Sequence, residues 1–567
     1  MKAKKLIAGF LAAALLLTMA ACGGDSGSES SSQASSASSA AETSTVDEES
    51  TAETSSTAEA EVDPLAPYEE TITMDFGADM DVNSAEATAL ADAGEPYEDN
   101  RWIKLMKEKL NIDVNYELVA TGDQYSQQLK LMMSSNELPD YFWIGNWSDF
   151  QQMADAGILA DMTEIYEEYA SPLLKSLIET EGDAVYMPVT YNGRMYGLPR
   201  TMPSTNGYNH LWIRQDWLDN LGLERPETME DVLNIARAFK NDDPDGNGQD
   251  DTLGMRLDET YMSQKGLFWG FYAYPDFWIT KDDGSIDYGT VQPEIKDGLN
   301  FIKTMLDEGL VNAEFMTTDR ETSQEEIVSG KTGMYYGAHW EHPRVSMDAD
   351  SEADWVAVSL PTVDGEQITI PLTTGVEGGY VATVNAEHPE ALVKMMNLYV
   401  ETLFGEENSF NEYYSIEGVG AIWNYSPVDL LDPELDLDGY REWKEASDAG
   451  DLDSMTGVGK GYYDYVQAGQ IEYDLMFGPE DSAFAFVDET YPDHIVWNAY
   501  FGAPTATQVE RGSSMDELLN TTLASLVTGQ LDMDSGFDQM VSDWRALGGD
   551  QVIQEITEIV NGNSTAE

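Results

Sequence analysis

Cysteine is all but missing from the sequence: Cys22 is the single one, so no disulfide can form within the chain. Basic residues are scarce, with 29 Lys and Arg against 105 Asp and Glu and a net charge of −76. Such a chain repels phosphate backbones and anionic lipid surfaces, which excludes nucleic acid and favours neutral or cationic ligands over anionic ones. Histidine is rare too, and His210, His339, His342, His388 and His494 are scattered. No His-Glu-x-x-His, nucleophile elbow or phosphate-binding loop occurs. With so many carboxylates, no particular pair points to glycoside hydrolysis, and the chain is expected to be a non-enzyme. After residue 21 no apolar run approaches the length of a membrane span.

What is present begins with "MKAKKLIAGFLAAALLLTMAAC". Three lysines precede an apolar run from Leu6 to Ala21, which reads as an export signal over residues 1–21. The small residues before Cys22 resemble the lipobox of bacterial lipoproteins, with Met19 where leucine is usual. That resemblance implies acylation of Cys22 and an extracytoplasmic protein anchored to the outer face of the bacterial cytoplasmic membrane. Residues 22–66 are expected to form a disordered Ser/Ala/Glu linker, too poor in large apolar side chains to offset its ordering entropy.

From Pro67 on, short β-like runs alternate with amphipathic helical runs, which predicts an α/β architecture of at least two domains. "YEETITMDFG" reads as a strand, and "NRWIKLMKEKLNIDVNYELV" as a helix to Leu110 followed by a strand. In "LWIRQDWLDNLGLERPETMEDVLNIARAFK" the pattern predicts a strand through Ile213 and a short helix capped by Asp216. A second helix there is capped by Thr228 with Asp231 at its third position. The last segment, from "SMDELLNTTLASLV" on, reads as helical throughout.

These blocks, with "LPDYFWIGNWSDFQQMADAGILADMTEI", "GKTGMYYGAHW" and "FDQMVSDWRALGGDQVIQEITEIVN", resemble family-one extracellular solute-binding lipoproteins, the sugar-binding components of ABC importers. The resemblance is to the maltodextrin- and alginate-oligosaccharide-binding branches. It implies a two-lobed, periplasmic-binding-protein-like fold of type II, with hinge crossovers near Pro199–Gly207 and Ile370–Val376 and a helical C-terminal region. The N-lobe then combines 68–203 with 374–425, and the C-lobe 204–373 with 426–567. A monomer is expected to capture a neutral oligosaccharide between the lobes and hand it to the transmembrane subunits of an ABC permease. A peptide ligand, or a surface glycan-binding adhesin without a transporter, remains open as an alternative.

A sugar cleft needs flat apolar faces for pyranose rings and planar polar groups for hydroxyls. The chain holds 13 Trp and 29 Tyr. Trp102, Trp217 and Trp544 lie at helical spacing and are expected in the core. Candidates for the ligand are Trp143 and Trp147 after the "LPDYF" strand, Trp340 at the end of "GMYYGAHW", and Trp269 in an aromatic loop. Trp423, Trp497, Arg200 before the first hinge and Glu377 beside "GGY" complete the set.

"NDDPDGNGQDDTLG" carries oxygen donors in the register of a calcium loop. Asp243, Asp245 and Asn247 take positions one, three and five, Gly248 the sharp turn, the Gln249 carbonyl position seven and Asp251 position nine. Position twelve, a bidentate Glu in a switching EF-hand, is Gly254. The expectation is a structural Ca2+ that staples the loop.

Overall fold

The computed structural model describes residues 63–562 apart from 282 and 417–418. The expected signal, Cys22 and the linker to residue 62 lie outside the described residues. No described helix is long and apolar enough to cross a membrane.

Three strands start the fold: β1 (Ile72–Asp79), β2 (Ile112–Ala120) and β3 (Tyr141–Ile144). They pair in parallel with β1 in the middle. The helix Arg101–Leu110 that precedes β2 follows from its sequence. Asn100 caps it by accepting from the Trp102 and Ile103 amides. Trp102, Met106 and Leu110, spaced four apart, form its buried stripe, and Asn111 ends it in the left-handed conformation. Two strands from far along the chain complete the sheet. Val376–Ala382 runs antiparallel to β3, and Leu198–Thr201 antiparallel to that strand. The chain leaves β1 for β2 on one side and returns to β3 on the other, so the strand order reverses between β1 and β3. In open α/β sheets that reversal opens a crevice at the carboxyl ends of the strands.

A second, antiparallel sheet centres on His210–Arg214, flanked by Met334–Gly337 and Trp355–Val358, and all three strands are buried along their lengths. The protein is thus two-lobed. One hydrophobic core draws on residues from Met74 to Leu198 and from Val376 to Leu430. The other draws on Tyr208 to Leu372 and Leu437 to Ile556, with the long helices Leu435–Ala449 and Ala506–Val527 packed into it. Trp102, Trp217 and Trp544 are buried, as expected.

The helix Met229–Asn241 carries the predicted capping box of Thr228 and Asp231. Asp216 corrects the expectation: the strand runs on to Arg214, and the helix Gln215–Leu221 has Arg214, not Asp216, at its cap position. The Asp216 carboxylate instead accepts from Arg214 Nε and Nη2, both at 2.6 Å. Arg214 is buried, and leaving its charge unpaired costs more than leaving a helix end uncapped.

Three segments connect the two cores, and they lie against one another. The Met202 amide donates to the Gly375 carbonyl at 2.7 Å, and the Leu431 amide to the Thr201 carbonyl at 2.9 Å. Glu181 joins the first two segments from the side. One carboxylate oxygen accepts from the Ser204 amide at 3.3 Å and the other from the Gly375 amide at 2.9 Å. The approach at Gly375 is so close that a Cβ there would lie 1.8 Å from the Met202 carbonyl oxygen.

Candidate functional site

At the carboxyl ends of β1 and β3, where the strand order reverses, lies a cavity of about 350 Å³. β1 and the turn after it supply Asp79 and Asp81, and the first turn of the helix Ala85–Asp92 supplies Glu86. Trp143 comes from β3, Arg200 and Tyr380 from the two added strands, and Ser426 and Asp429 from the stretch of the first lobe that leads into the third connecting segment. Trp143 is half-buried, and its indole lies against two glycine backbones. A Cβ at Gly145 would stand 2.2 Å from the ring and one at Gly378 2.5 Å from it, so these glycines make room for the indole.

Arg200 is held from three sides. Its Nε donates to Asp429 Oδ1, Nη2 to Asp429 Oδ2 at 3.3 Å, and Nη1 to Glu377 Oε2 at 3.1 Å. Its guanidinium lies 5.9 Å from the centre of the Trp423 ring, which stacks on Tyr414. Tyr380 locks the acid in place: its hydroxyl donates to Asp429 Oδ1 at 2.9 Å and accepts from the Asp429 amide at 3.1 Å. Burial opposes the charge on Arg200, Asp429 favours it, and the net shift of its pKa is upward. Burial and the same carboxylate push the Tyr380 phenol well above its ordinary value. The guanidinium is therefore charged and held in place along the cavity wall.

A second cavity of about 250 Å³ lies along the connecting segments, lined by Pro203, Ser204, Asn206, Gly207, residues 371–377, Lys265, Trp269 and Phe501 among others. The Arg200–Glu377 pair stands between the two cavities. Glu377 is half exposed, whereas Trp269 is 1 % exposed and is part of the second core. Trp147 opens the helix Trp147–Asp155 and meets Phe501 edge-on at 6.3 Å. Trp497 lies in a short strand paired with Ile370–Leu372 and borders neither cavity. Trp340 is not brought to this site. It is 55 % exposed, sits in the one-turn helix His339–Glu341, and lines a separate depression beside Arg320, 5.5 Å from its ring. Tyr380, Asp429, Ser426, Asp79, Asp81 and Glu86 were not singled out from the sequence.

In the acidic loop Asp243 adopts φ +51° and its carboxylate accepts from the Gly248 amide at 3.1 Å. The Asn247 side-chain nitrogen donates to Asp245 Oδ2 at 2.7 Å and to Asp251 Oδ1 at 3.3 Å, so both carboxylates turn onto that amide. Burial raises the Asp245 pKa, the Asn247 amide opposes this, and Asp243 and Asp251 raise it further. The loop frame fits a calcium loop. Its carboxylates, in this arrangement, do not converge: among the described residues no three His, Cys, Asp or Glu side chains could hold a metal ion together.

Comparison with known proteins agrees with this architecture. The polygalacturonan/rhamnogalacturonan-binding protein YtcQ of Bacillus subtilis is 26% identical over 375 residues, 65% of this chain and 71% of that one. The lipoprotein LipO of the same organism is 24% identical over 454 residues, 77% of this chain and 84% of its own. Among solved structures, the Streptococcus pneumoniae ABC-transporter substrate-binding protein FusA, as an EF-hand mutant in complex with fructo-nystose, superposes with a TM-score of 0.56. It is 18% identical, and the match covers 88% of this chain and 100% of that one. Residues 82–402, more than half of the chain, match the family model of bacterial extracellular solute-binding proteins, and the protein belongs to that family.

Proposed function

We propose that the protein is the substrate-binding component of an ABC importer and captures an oligosaccharide in the cavity at the edge of the first lobe. The observation that carries this reading is a flat indole, Trp143, set among hydroxyl, carboxylate and guanidinium groups at the reversal point of the sheet. Pyranose rings stack on such a surface while polar neighbours read their hydroxyls. The glycans that YtcQ and FusA bind support a glycan ligand. A capture-and-delivery role requires no catalytic group.

The lobe division we adopt is 68–203 with 374 to about 430, and the remainder. Val428 and Leu430 belong to the first core, which supports carrying the last boundary beyond 425. Closure of the lobes over the glycan would expose a surface for the permease, and the ligand drives closure only by its preference for the closed form. The resemblance to LipO, a lipoprotein, supports a lipid anchor at Cys22 on the outer face of the cytoplasmic membrane, and we take the protein to act there as a monomer. In the acidic loop, calcium would be held by Asp243, Asp245, Asn247, the Gln249 carbonyl and Asp251, and a cation there offsets the mutual repulsion of the carboxylates. Its role is structural, because the loop follows the helix Met229–Asn241 in the second lobe and borders neither cavity.

Titration calorimetry of the purified protein against a panel of oligosaccharides, with a peptide mixture alongside, tests the reading. Binding of at least one glycan is expected. Binding of peptides with silence across every glycan refutes it.

A further inference from the structure

The cavity at the sheet edge has a charge that its fold does not neutralise. Asp79, Asp81, Glu86 and Asp429 line it, and Arg200 is its sole basic lining residue. Arg200 is already shared between Asp429 and Glu377. The other three carboxylates have no Lys, Arg or His partner among the described residues. Each accepts one backbone amide instead: Asp79 Oδ1 from Gly122 at 2.9 Å, Asp81 Oδ1 from Asn83 at 2.9 Å, and Glu86 Oε1 from Ala421 at 2.8 Å. Those bonds leave the second oxygen of each carboxylate unused.

An independent pair of polar groups lies in the same wall. Ser426 is 4 % exposed, lines the cavity, and its hydroxyl has no hydrogen-bond partner; the Asn424 side-chain oxygen beside it is likewise buried and unpartnered. Buried polar groups in folded proteins are nearly always satisfied, so these two are set to meet something that enters. The neighbouring cavity differs: it is lined by one cation, Lys265, and by one carboxylate, Glu377, which Arg200 already holds.

We propose that this cavity holds a sugar unit bearing a protonated amino group, with Asp79, Asp81 and Glu86 as its counter-charges and Ser426 and Asn424 as hydrogen-bonding partners. The proposal rests on the carbohydrate reading and names the class of sugar: an amino sugar in a glycan free of carboxylates. It follows that a uronate glycan is rejected, because a carboxylate entering here meets three unpaired carboxylates in a partly desolvated space. The polygalacturonan-binding relative, at 26% identity, therefore does not hand down the charge of its ligand.

The test uses calorimetry at a pH where the amine is protonated, with three probes: a glucosamine tetrasaccharide, its fully N-acetylated counterpart, and tetragalacturonate. The free amine is expected to bind at least tenfold tighter than the N-acetylated form at low salt, with the advantage shrinking as salt is added. The combined variant Asp79→Asn, Asp81→Asn, Glu86→Gln keeps the three backbone hydrogen bonds through its amide oxygens and should abolish the advantage. Asp81→Asn, at an exposed position, serves as a second variant that leaves packing untouched and should reduce the advantage on its own. Equal or tighter binding of the N-acetylated form, binding of tetragalacturonate, or exclusive binding of some other neutral oligosaccharide would overturn the amino-sugar proposal and leave the carbohydrate reading standing. Silence toward every glycan would remove both.

Discussion

Gly375 is the residue on which the first two of the three connecting segments converge, and adding one methyl group there is a sharp test of how they pack. In Gly375→Ala the new Cβ would sit 1.8 Å from the Met202 carbonyl oxygen, 2.8 Å from the carbon that carries it and 3.0 Å from the Ser204 amide nitrogen. All three are backbone atoms, so no side-chain rotation relieves the clash and the segments must separate. Overpacking of this kind costs about 1–3 kcal/mol. Separation also strains the bond from the Met202 amide to the Gly375 carbonyl and the one from the Gly375 amide to Glu181, each contributing about 1 kcal/mol. A total of about 3–5 kcal/mol follows, and at about 2–4 °C per kcal/mol for lobes of this size the melting temperature should fall by on the order of 10 °C. Differential scanning calorimetry reads this directly. Gly461→Ala, in the helix Val458–Gln467 with open space around its Cβ, is the control and should be neutral or slightly stabilising. A Gly375→Ala protein that melts within a degree of the parent would refute the reasoning.

Trp143→Ala should weaken glycan binding by about 10–100-fold, the scale of a stacked aromatic anchor, as read by calorimetry; unchanged affinity would move the binding surface elsewhere. Trp340→Ala should leave that affinity as it is, since Trp340 lines a different depression, and a loss beyond threefold would contradict the placement. His210 and His339 are enclosed by aromatic rings and have ring nitrogens without partners; burial lowers both pKa values, that of His339 to about 3. The unfolded chain therefore binds the protons first, and stability falls as the pH drops below about 6.5, by about 2 kcal/mol for His339 down to pH 5, with His210 acting in the same direction. Glu181 acts with the opposite sign, because burial raises its pKa and its contribution to stability falls as the pH rises above the ordinary glutamate value. Melting curves of His339→Phe should show a shallower pH dependence than the parent, and an identical slope would rule out its titration as a cause. Excess chelator should lower the melting temperature and leave the choice of glycan unchanged, whereas an unaltered melting curve would argue against calcium in the acidic loop.

Local features were the most legible in the sequence. Thr228 and Asp231 mark their helix start, and Asn100 with the Trp102, Met106 and Leu110 stripe marks another, because the cause of each lies within a few residues. Asp216 was misread because its partner Arg214 is buried, a property set by the sheet around it. Trp340 follows a strand end, which suggests a position at a cleft. The Glu341 carboxylate accepts from the Ala338 amide at 2.8 Å and closes a one-turn helix that carries the indole outward. Trp143 and Arg200 stand out in the sequence by residue type and strand position. Their neighbours do not: Asp429 is 229 residues from Arg200, and Asp79, Asp81 and Glu86 are three acids among 105. Tyr380 had one faint signal, the glycine pair before it, which admits the Trp143 ring on one side and the Leu198 backbone on the other.

The strand Val376–Ala382 lies between β3 and Leu198–Thr201, yet residues 202–375, which separate it in sequence from Leu198–Thr201, build most of the other lobe. Until that stretch has been made, the first sheet has an open slot at its interior. The edge of β3 and the edge of Leu198–Thr201 face that slot with unpaired backbone groups, the arrangement most prone to wrong pairing. The second lobe likewise waits for its C-terminal helices. Neither lobe is a contiguous stretch of sequence that could finish early, so the two lobes must be completed nearly together, and truncation anywhere before residue 382 should leave both unfinished.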